Sequence, residues 1–198
     1  MVITKLKELI SEYEEYFMEG GIQQSFSDLE NLINELGDRK FKNMVEIGIA
    51  DGGTLWLYTQ LFGAPGAEIT VVDMDIRVVT ARVISALEEK GFVFTVIMNQ
   101  SMNVKLEGPI DFLHIDGDHG YEAVNYDYVT HSSNVVPGGV ILIHDTLLIE
   151  GPMRLKQELE VIEKRILTFA GTDTMCDCYG RGRINPDNKS FGLTLVYK

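Results

Sequence analysis

An open, mostly parallel α/β sheet with helices on both faces is the fold class this sequence predicts, and three observations predict it. Short apolar runs suited to buried strands, Met44 to Ile47, Ile69 to Val72 and Ile110 to Ile115, are each followed by a turn and a helical segment. Those segments are Thr54 to Phe62, Ile76 to Lys90 and Tyr121 to Ser132. Val93 to Met98 and Val140 to Ile143 add two further strands, and strands alternating with helices argue for a doubly wound sheet joined by right-handed crossovers. A length of 198 residues suits one such domain.

The first residues lie outside that alternation. Ile3, Leu6, Ile10, Tyr13, Phe17 and Met18 carry the three-and-four spacing of a helix burying one face, and Gly20 and Gly21 stop it. Ser27 followed by Glu30 predicts a capping box for a second helix through Leu29, Leu32, Ile33 and Leu36 to Gly37. Residues 1–38 thus read as an N-terminal helical appendage, and residues 39–198 as the α/β domain. Gly63 to Gly66 reads as a turn before the second strand. Beyond Glu150 the sequence predicts a helix over Met153 to Lys164, a strand over Ile166 to Phe169 and a last β-rich run from Phe191 to Tyr197. Gly171 to Ser190 between them has no period, and a loop of that length in a compact domain is commonly functional or disordered.

Composition narrows the partners. A formal net charge of −13 repels polyanions, so nucleic acid is not expected. No apolar run reaches the ~18 residues of a membrane helix, and Met1 to Ile10 lacks the apolar stretch of a secretion signal, so no membrane partner and a cytoplasmic address are expected. Cys176 and Cys178 can supply neither a disulfide framework nor, alone, a zinc site, and read as free thiols.

In open α/β sheets ligands bind beyond the carboxyl ends of the strands. The first strand delivers Glu46, Gly48, Asp51, Gly52 and Gly53 there, and glycines let a backbone turn tightly and approach a ligand. A dinucleotide site wants glycine at the first, third and sixth positions of this turn, whereas Gly48, Ala50 and Gly53 stand there. Ala50 puts a methyl where pyrophosphate must approach, and the acids add repulsion, which disfavours an NAD-dependent oxidoreductase. The second strand ends at Asp73, a carboxylate placed to accept from both hydroxyls of a ribose. Nucleoside binding without pyrophosphate follows, in an enzyme or in a non-catalytic nucleoside-binding module.

The run Val45 to Gly53, reading VEIGIADGG, resembles the first signature of class I S-adenosylmethionine-dependent methyltransferases. Asp73 stands where that family keeps its ribose-binding acid and Ser101 where adenine contacts fall. Ile115 to Tyr121, reading IDGDHGY, with Val136 to Gly139, His144 and Asp145, is similar to small-molecule O-methyltransferases of the metal-dependent catechol and macrolide-sugar types. The resemblance covers about residues 43–146. It implies a Rossmann-like sheet of seven strands in the order three, two, one, four, five, seven, six, the seventh antiparallel, and S-adenosylmethionine held by Glu46, Gly48, Asp51, Gly52, Gly53, Asp73, Ser101 and Asp116.

Asp116, Asp118 and His119 follow the fourth strand and His144 and Asp145 end the fifth, so acids and imidazoles converge if those strands are neighbours. Such ligands suit Mg²⁺ or a similar divalent ion. The metal-dependent relatives imply Asp116 and Asp145 as ligands that fix an acceptor hydroxyl, and the sugar-modifying relatives imply His119 as the catalytic base. Where the catechol type has Asn after the second acid, this chain has Thr146, so either its hydroxyl or the nitrogen of His144 completes the metal set. The expected activity is O-methylation of a small-molecule hydroxyl.

Other residues carry plainer readings. His114, inside an apolar strand, reads as a satisfied structural imidazole, and His131 as a surface residue of its helix. Arg181 and Arg183 read as an exposed charged loop or a grip on an acceptor anion. The first two helices, with Gln23 and Gln24, read as packing, as a lid over the cofactor or as a homodimer contact.

Overall fold

The computed structural model describes residues 2–17, 22, 24–171 and 191–198. Helices α1 (Val2–Phe17) and α2 (Phe26–Leu36) precede β1 (Phe41–Ile47), α3 (Gly53–Phe62), β2 (Gly63–Asp73), α4 (Val78–Glu89) and β3 (Val93–Met98). After a 3-10 turn at Ser101–Asn103 come β4 (Ile110–Ile115), α5 (Tyr121–Ser132), β5 (Val135–His144), α6 (Glu150–Ile162), β6 (Ile166–Phe169) and β7 (Leu193–Tyr197). Seven strands form one sheet in the order β3-β2-β1-β4-β5-β7-β6. β1 to β5 pair in parallel, and β7 runs antiparallel to both β5 and β6. The strand order therefore reverses between β1 and β4, where the crossovers part to opposite faces and leave a crevice.

Two apolar layers sandwich the sheet, because successive strand residues point to opposite faces. Met44, Ile69, Val71, Phe112 and Leu142 face a cluster completed by α1 to α4, including Leu6, Tyr13, Leu32, Trp56 and Val83. Val45, Ile47, Leu113, Ile115, Ile141 and Ile143 face the other, completed by Val124 and Tyr128 of α5 and Leu155 and Leu159 of α6. Both helices of residues 1–38 share the first layer with the sheet. The Trp56 indole N–H donates to the Leu9 carbonyl at 3.0 Å, and the Phe17 ring stands edge-on to Trp56 at 5.3 Å.

Several boundaries differ from expectation for local reasons. The α2 cap is Ser25, two residues before Ser27: its hydroxyl accepts from the Asp28 amide at 3.2 Å, an acid three residues on, while Gly37 closes the helix at φ 58° as expected. Gly63 to Gly66 belongs to β2; Gly63 pairs with Phe41, and the register shifts before Asn43 meets Glu68, so the residues read as a turn form an irregularity inside the strand. β5 likewise starts at Val135, through Pro137 and two glycines. Gly20, Gly21 and Gln23, together with Cys176, Cys178, Arg181 and Arg183 of the long connection, lie outside the described residues. No helix among the described residues is long and apolar enough to cross a membrane.

Candidate active site

The β1–α3 connection is wound tightly. Gly48 (φ 80°), Ala50 (φ 41°) and Gly52 (φ 83°) all take left-handed backbone. At Gly48 this is obligatory on a second ground, since a Cβ there would stand 2.1 Å from the Asp116 carbonyl oxygen. The loop is fixed from several sides. Asp73 accepts from the amides of Ile49 (2.8 Å) and Ala50 (3.2 Å) on one oxygen and from Asp75 (3.2 Å) on the other. Thr80 donates to the Ala50 carbonyl, and Tyr13 of α1 donates to the Asp51 carbonyl at 2.8 Å.

Beside this loop lies a cavity of about 540 Å³ at the switch point. Of the residues expected at a cofactor, Gly48, Asp51, Gly53, Asp73, Ser101 and Asp116 line it, and His119 stands at the same wall. Glu46 and Gly52 do not. Glu46 is buried toward α3, where one oxygen accepts from Thr54 Oγ1 at 2.5 Å and faces His114 Nδ1 at 3.1 Å. Gly52 turns its α-carbon toward Val83 and serves as the N-cap of α3. Asp73, with about four lone-pair sites, accepts from three backbone amides and so has one site not taken by them. Sequence reasoning missed Arg77, whose guanidinium pairs with Asp51 at 2.8 Å, and Asn99 and Gln100 after β3, all of which line the cavity. The end of β3 was a legible pointer to Asn99 and Gln100, whereas nothing in the sequence links Arg77 to Asp51.

Ser101 has a hidden partner. Its hydroxyl donates at 3.0 Å to Asp127 of α5, whose other oxygen is buried and unpartnered among the described residues. Burial pushes the Asp127 carboxyl up to about 6, against the Ser101 hydrogen bond and helped by Asp118. The folded protein thus holds a proton that the unfolded chain, near 3.8, releases. The group's contribution to stability is full below about pH 4 and falls as pH rises through about 6, by up to about 3 kcal/mol. Asp127→Asn, which keeps an acceptor for Ser101, is expected to flatten this slope and raise Tm at pH 7. Parallel Tm curves for the two proteins between pH 4 and 7 would refute it.

Four polar side chains from β4 and β5 converge beside the cavity. His119 Nε2 stands 3.1 Å from one Asp145 oxygen and 3.5 Å from Asp116. His144 Nδ1 stands 2.8 Å from the other Asp145 oxygen and 3.2 Å from Asp116. The separate strand ends are joined because β4 and β5 are neighbours and Asp145 adopts φ 60°, a left-handed conformation that aspartate takes more readily than most L-residues. His144 and Asp145 are buried and lie outside the cavity wall, while Asp116 belongs to both cluster and cavity. Burial would raise the Asp116 carboxyl, but the charge of His144 and the hydrogen bond from His119 hold it well below the usual carboxylate range. The hydrogen bond to Asp116 pushes His119 up, against burial. Burial alone would lower His144, but the two carboxylates push it well up.

His144 Nδ1 is buried and, although close to both carboxylates, makes a hydrogen bond with neither, because the angles are wrong. One ligand atom from each of Asp116, His144 and Asp145 lies within 4.8 Å of the others, a donor set that fits a divalent cation. Thr146 takes no part; its hydroxyl pairs with Thr194 at 2.8 Å. His114 is satisfied only on the Glu46 side, its Nε2 being unpartnered among the described residues. His131 is not a surface residue: it is fully buried with both ring nitrogens unpartnered among the described residues, and burial lowers its pKa.

The strand order, the switch-point cavity and the acid ending β2 define a class I methyltransferase fold. A family model described as a methyltransferase domain matches residues 45–146, about half the chain, and the chain belongs to that family. Among solved structures it is similar to the O-methyltransferase TomG from Streptomyces achromogenes in complex with S-adenosylmethionine (14% identity, 97% of this chain and 88% of that one, TM-score 0.56). It is also similar to an O-methyltransferase from Bacillus cereus in complex with S-adenosylhomocysteine (16%, 98% and 91%, TM-score 0.54). A third is the N-methyltransferase NodS from Bradyrhizobium japonicum in complex with S-adenosylhomocysteine (12%, 99% and 97%, TM-score 0.55). No curated protein matches the chain.

Proposed function

We propose that this chain is an S-adenosylmethionine-dependent O-methyltransferase that acts on a small-molecule hydroxyl with the help of a divalent ion. The observation that carries the reading is Asp116, one residue lining the nucleoside-sized cavity on one side and joining the His119, His144 and Asp145 cluster on the other. Cofactor and acceptor chemistry are thereby brought to adjoining walls. The family match and the cofactor complexes of TomG and the Bacillus cereus enzyme support the cofactor, and the O-methyltransferase neighbours favour oxygen as acceptor.

In this reading Gly48 and Gly53 give the cofactor a close backbone wall, Asp73 accepts from its ribose, and Ser101, held by Asp127, faces its base. Asp51, tied by Arg77 and Tyr13, keeps the loop in place. Asp116, His144 and Asp145 would hold the ion, which would lower the pKa of an acceptor hydroxyl and orient it. His119, half exposed at the wall, acts in its neutral form with the ring proton on Nδ1: Nε2 takes the hydroxyl proton, and the carboxylates of Asp116 and Asp145 beside it stabilise the imidazolium that forms. The acceptor oxygen then attacks the sulfonium methyl in line, the C–S bond breaks with its electron pair going to sulfur, and methyl ether and S-adenosylhomocysteine remain. Positioning supplies much of the rate.

The test is a thermal-shift titration with S-adenosylhomocysteine and, in parallel, NAD, each with and without a chelator. S-adenosylhomocysteine is expected to raise Tm in a concentration-dependent way whether or not chelator is present, because a ligand that binds only the folded state stabilises it by mass action. Stabilisation by NAD instead, or by neither compound, would overturn the reading.

A further inference from the structure

The cluster beside the cavity contains an unusual atom. His144 Nδ1 belongs to a side chain more than nine-tenths buried, makes no hydrogen bond among the described residues, and stands 2.8 and 3.2 Å from two carboxylate oxygens. Cis ligand atoms on a small ion with bonds of about 2.0 to 2.2 Å stand about 3 Å apart, whereas the longer bonds of Ca²⁺ spread them further. The two spacings from His144, 2.8 and 3.2 Å, are those of the small sphere, and all three donors lie within 4.8 Å of one another. The charge balance points the same way. Among the described residues no lysine or arginine pairs with Asp116 or Asp145, so two inward carboxylates face only imidazoles.

The kind of donor then distinguishes among small ions. Mg²⁺ is hard, prefers oxygen and parts reluctantly with its waters, whereas imidazole nitrogen suits the divalent ions from manganese to zinc. We infer that His144 is an imidazole ligand that makes this centre selective for a first-row transition metal ion, such as Mn²⁺, Co²⁺ or Zn²⁺, over Mg²⁺. The inference rests on the proposed metal-assisted reading and narrows it to a metal class. Asp116 and Asp145 supply the charge and His144 the preference, while His119, across the same oxygens, remains free to handle the proton.

The full chain, stripped with a chelator, is titrated calorimetrically with Mn²⁺, Co²⁺ and Mg²⁺, and the Mn²⁺ form is examined by pulsed electron paramagnetic resonance. The expected result is binding of Mn²⁺ and Co²⁺ about ten- to a hundredfold tighter than Mg²⁺. A directly bound nitrogen is expected in the wild-type spectrum, retained in His119→Gln and lost in His144→Asn, which also loses the preference. No nitrogen coupling, coupling lost in His119→Gln, or Mg²⁺ bound as tightly as Mn²⁺ would overturn the inference. If His144→Asn does not fold, the wild-type and His119→Gln spectra decide alone. S-adenosylhomocysteine is titrated into the same samples: normal cofactor binding with no metal preference sinks this inference only, whereas loss of cofactor binding in the wild type sinks the underlying reading.

Discussion

In His119→Ala, methyl transfer is expected to fall by about a thousandfold while affinity for S-adenosylmethionine stays within about twofold. A positioned base contributes about 10² to 10⁴ to rate, and nothing in the cluster replaces Nε2 at the cavity wall. Asp116 and Asp145 keep His144 beside them at 3.2 and 2.8 Å, and His119 is 42% exposed at its side chain, so truncation leaves little cavity and little loss of stability. The measurement is a single-turnover rate beside a calorimetric cofactor titration. A variant that loses cofactor affinity and retains its rate at saturation would show that His119 binds the cofactor and does not move the proton.

Gly48→Ala is expected to damage fold and site together. The added methyl meets the Asp116 carbonyl at 2.1 Å and the Gly117 α-carbon at 2.6 Å, both backbone, and φ 80° is itself unfavourable for alanine. Neither neighbour can yield without shifting the end of β4, and with it one carboxylate of the cluster. We expect a loss of about 3 to 5 kcal/mol, at the severe end for single substitutions, and at least a hundredfold weaker cofactor binding. Gly138→Ala is the control. Its φ of 87° is as strained, yet among the described residues nothing lies within 4 Å of an added Cβ, so only the conformational cost of about 1 to 2 kcal/mol remains. Equal Tm losses in the two variants would remove the steric argument.

The sheet was legible where a strand is a short run dominated by β-formers and free of glycine and proline, as in β3, β4 and β6, each of which begins and ends at the residues its pattern marks, whether buried as in β4 or largely exposed as in β3. Pattern failed where glycine and proline sit inside a strand: Gly63 to Gly66 and Pro137 to Gly139 look like turns locally, and only pairing with a neighbouring strand makes them extended. The site divided similarly. Gly48, Asp73 and Asp116 follow from being at the ends of buried strands. Glu46, two residues before Gly48, points into the α3 face because strand residues alternate, and its partner His114 comes from the register of β1 against β4. His131 was misjudged because α5 has almost no apolar periodicity of its own and α6 packs over it.

The antiparallel insertion of β7 between β5 and β6 has a kinetic consequence. From β1 to β5 each new strand finds its neighbour already made, so that part of the sheet can grow as the polypeptide leaves the ribosome. β6 has no strand to rest against until β7 arrives, and β7 must reach back from Tyr197 to Val140 to dock. Until that long segment closes, the β5 edge has no strand beside it, which makes it the expected place for mispairing during folding.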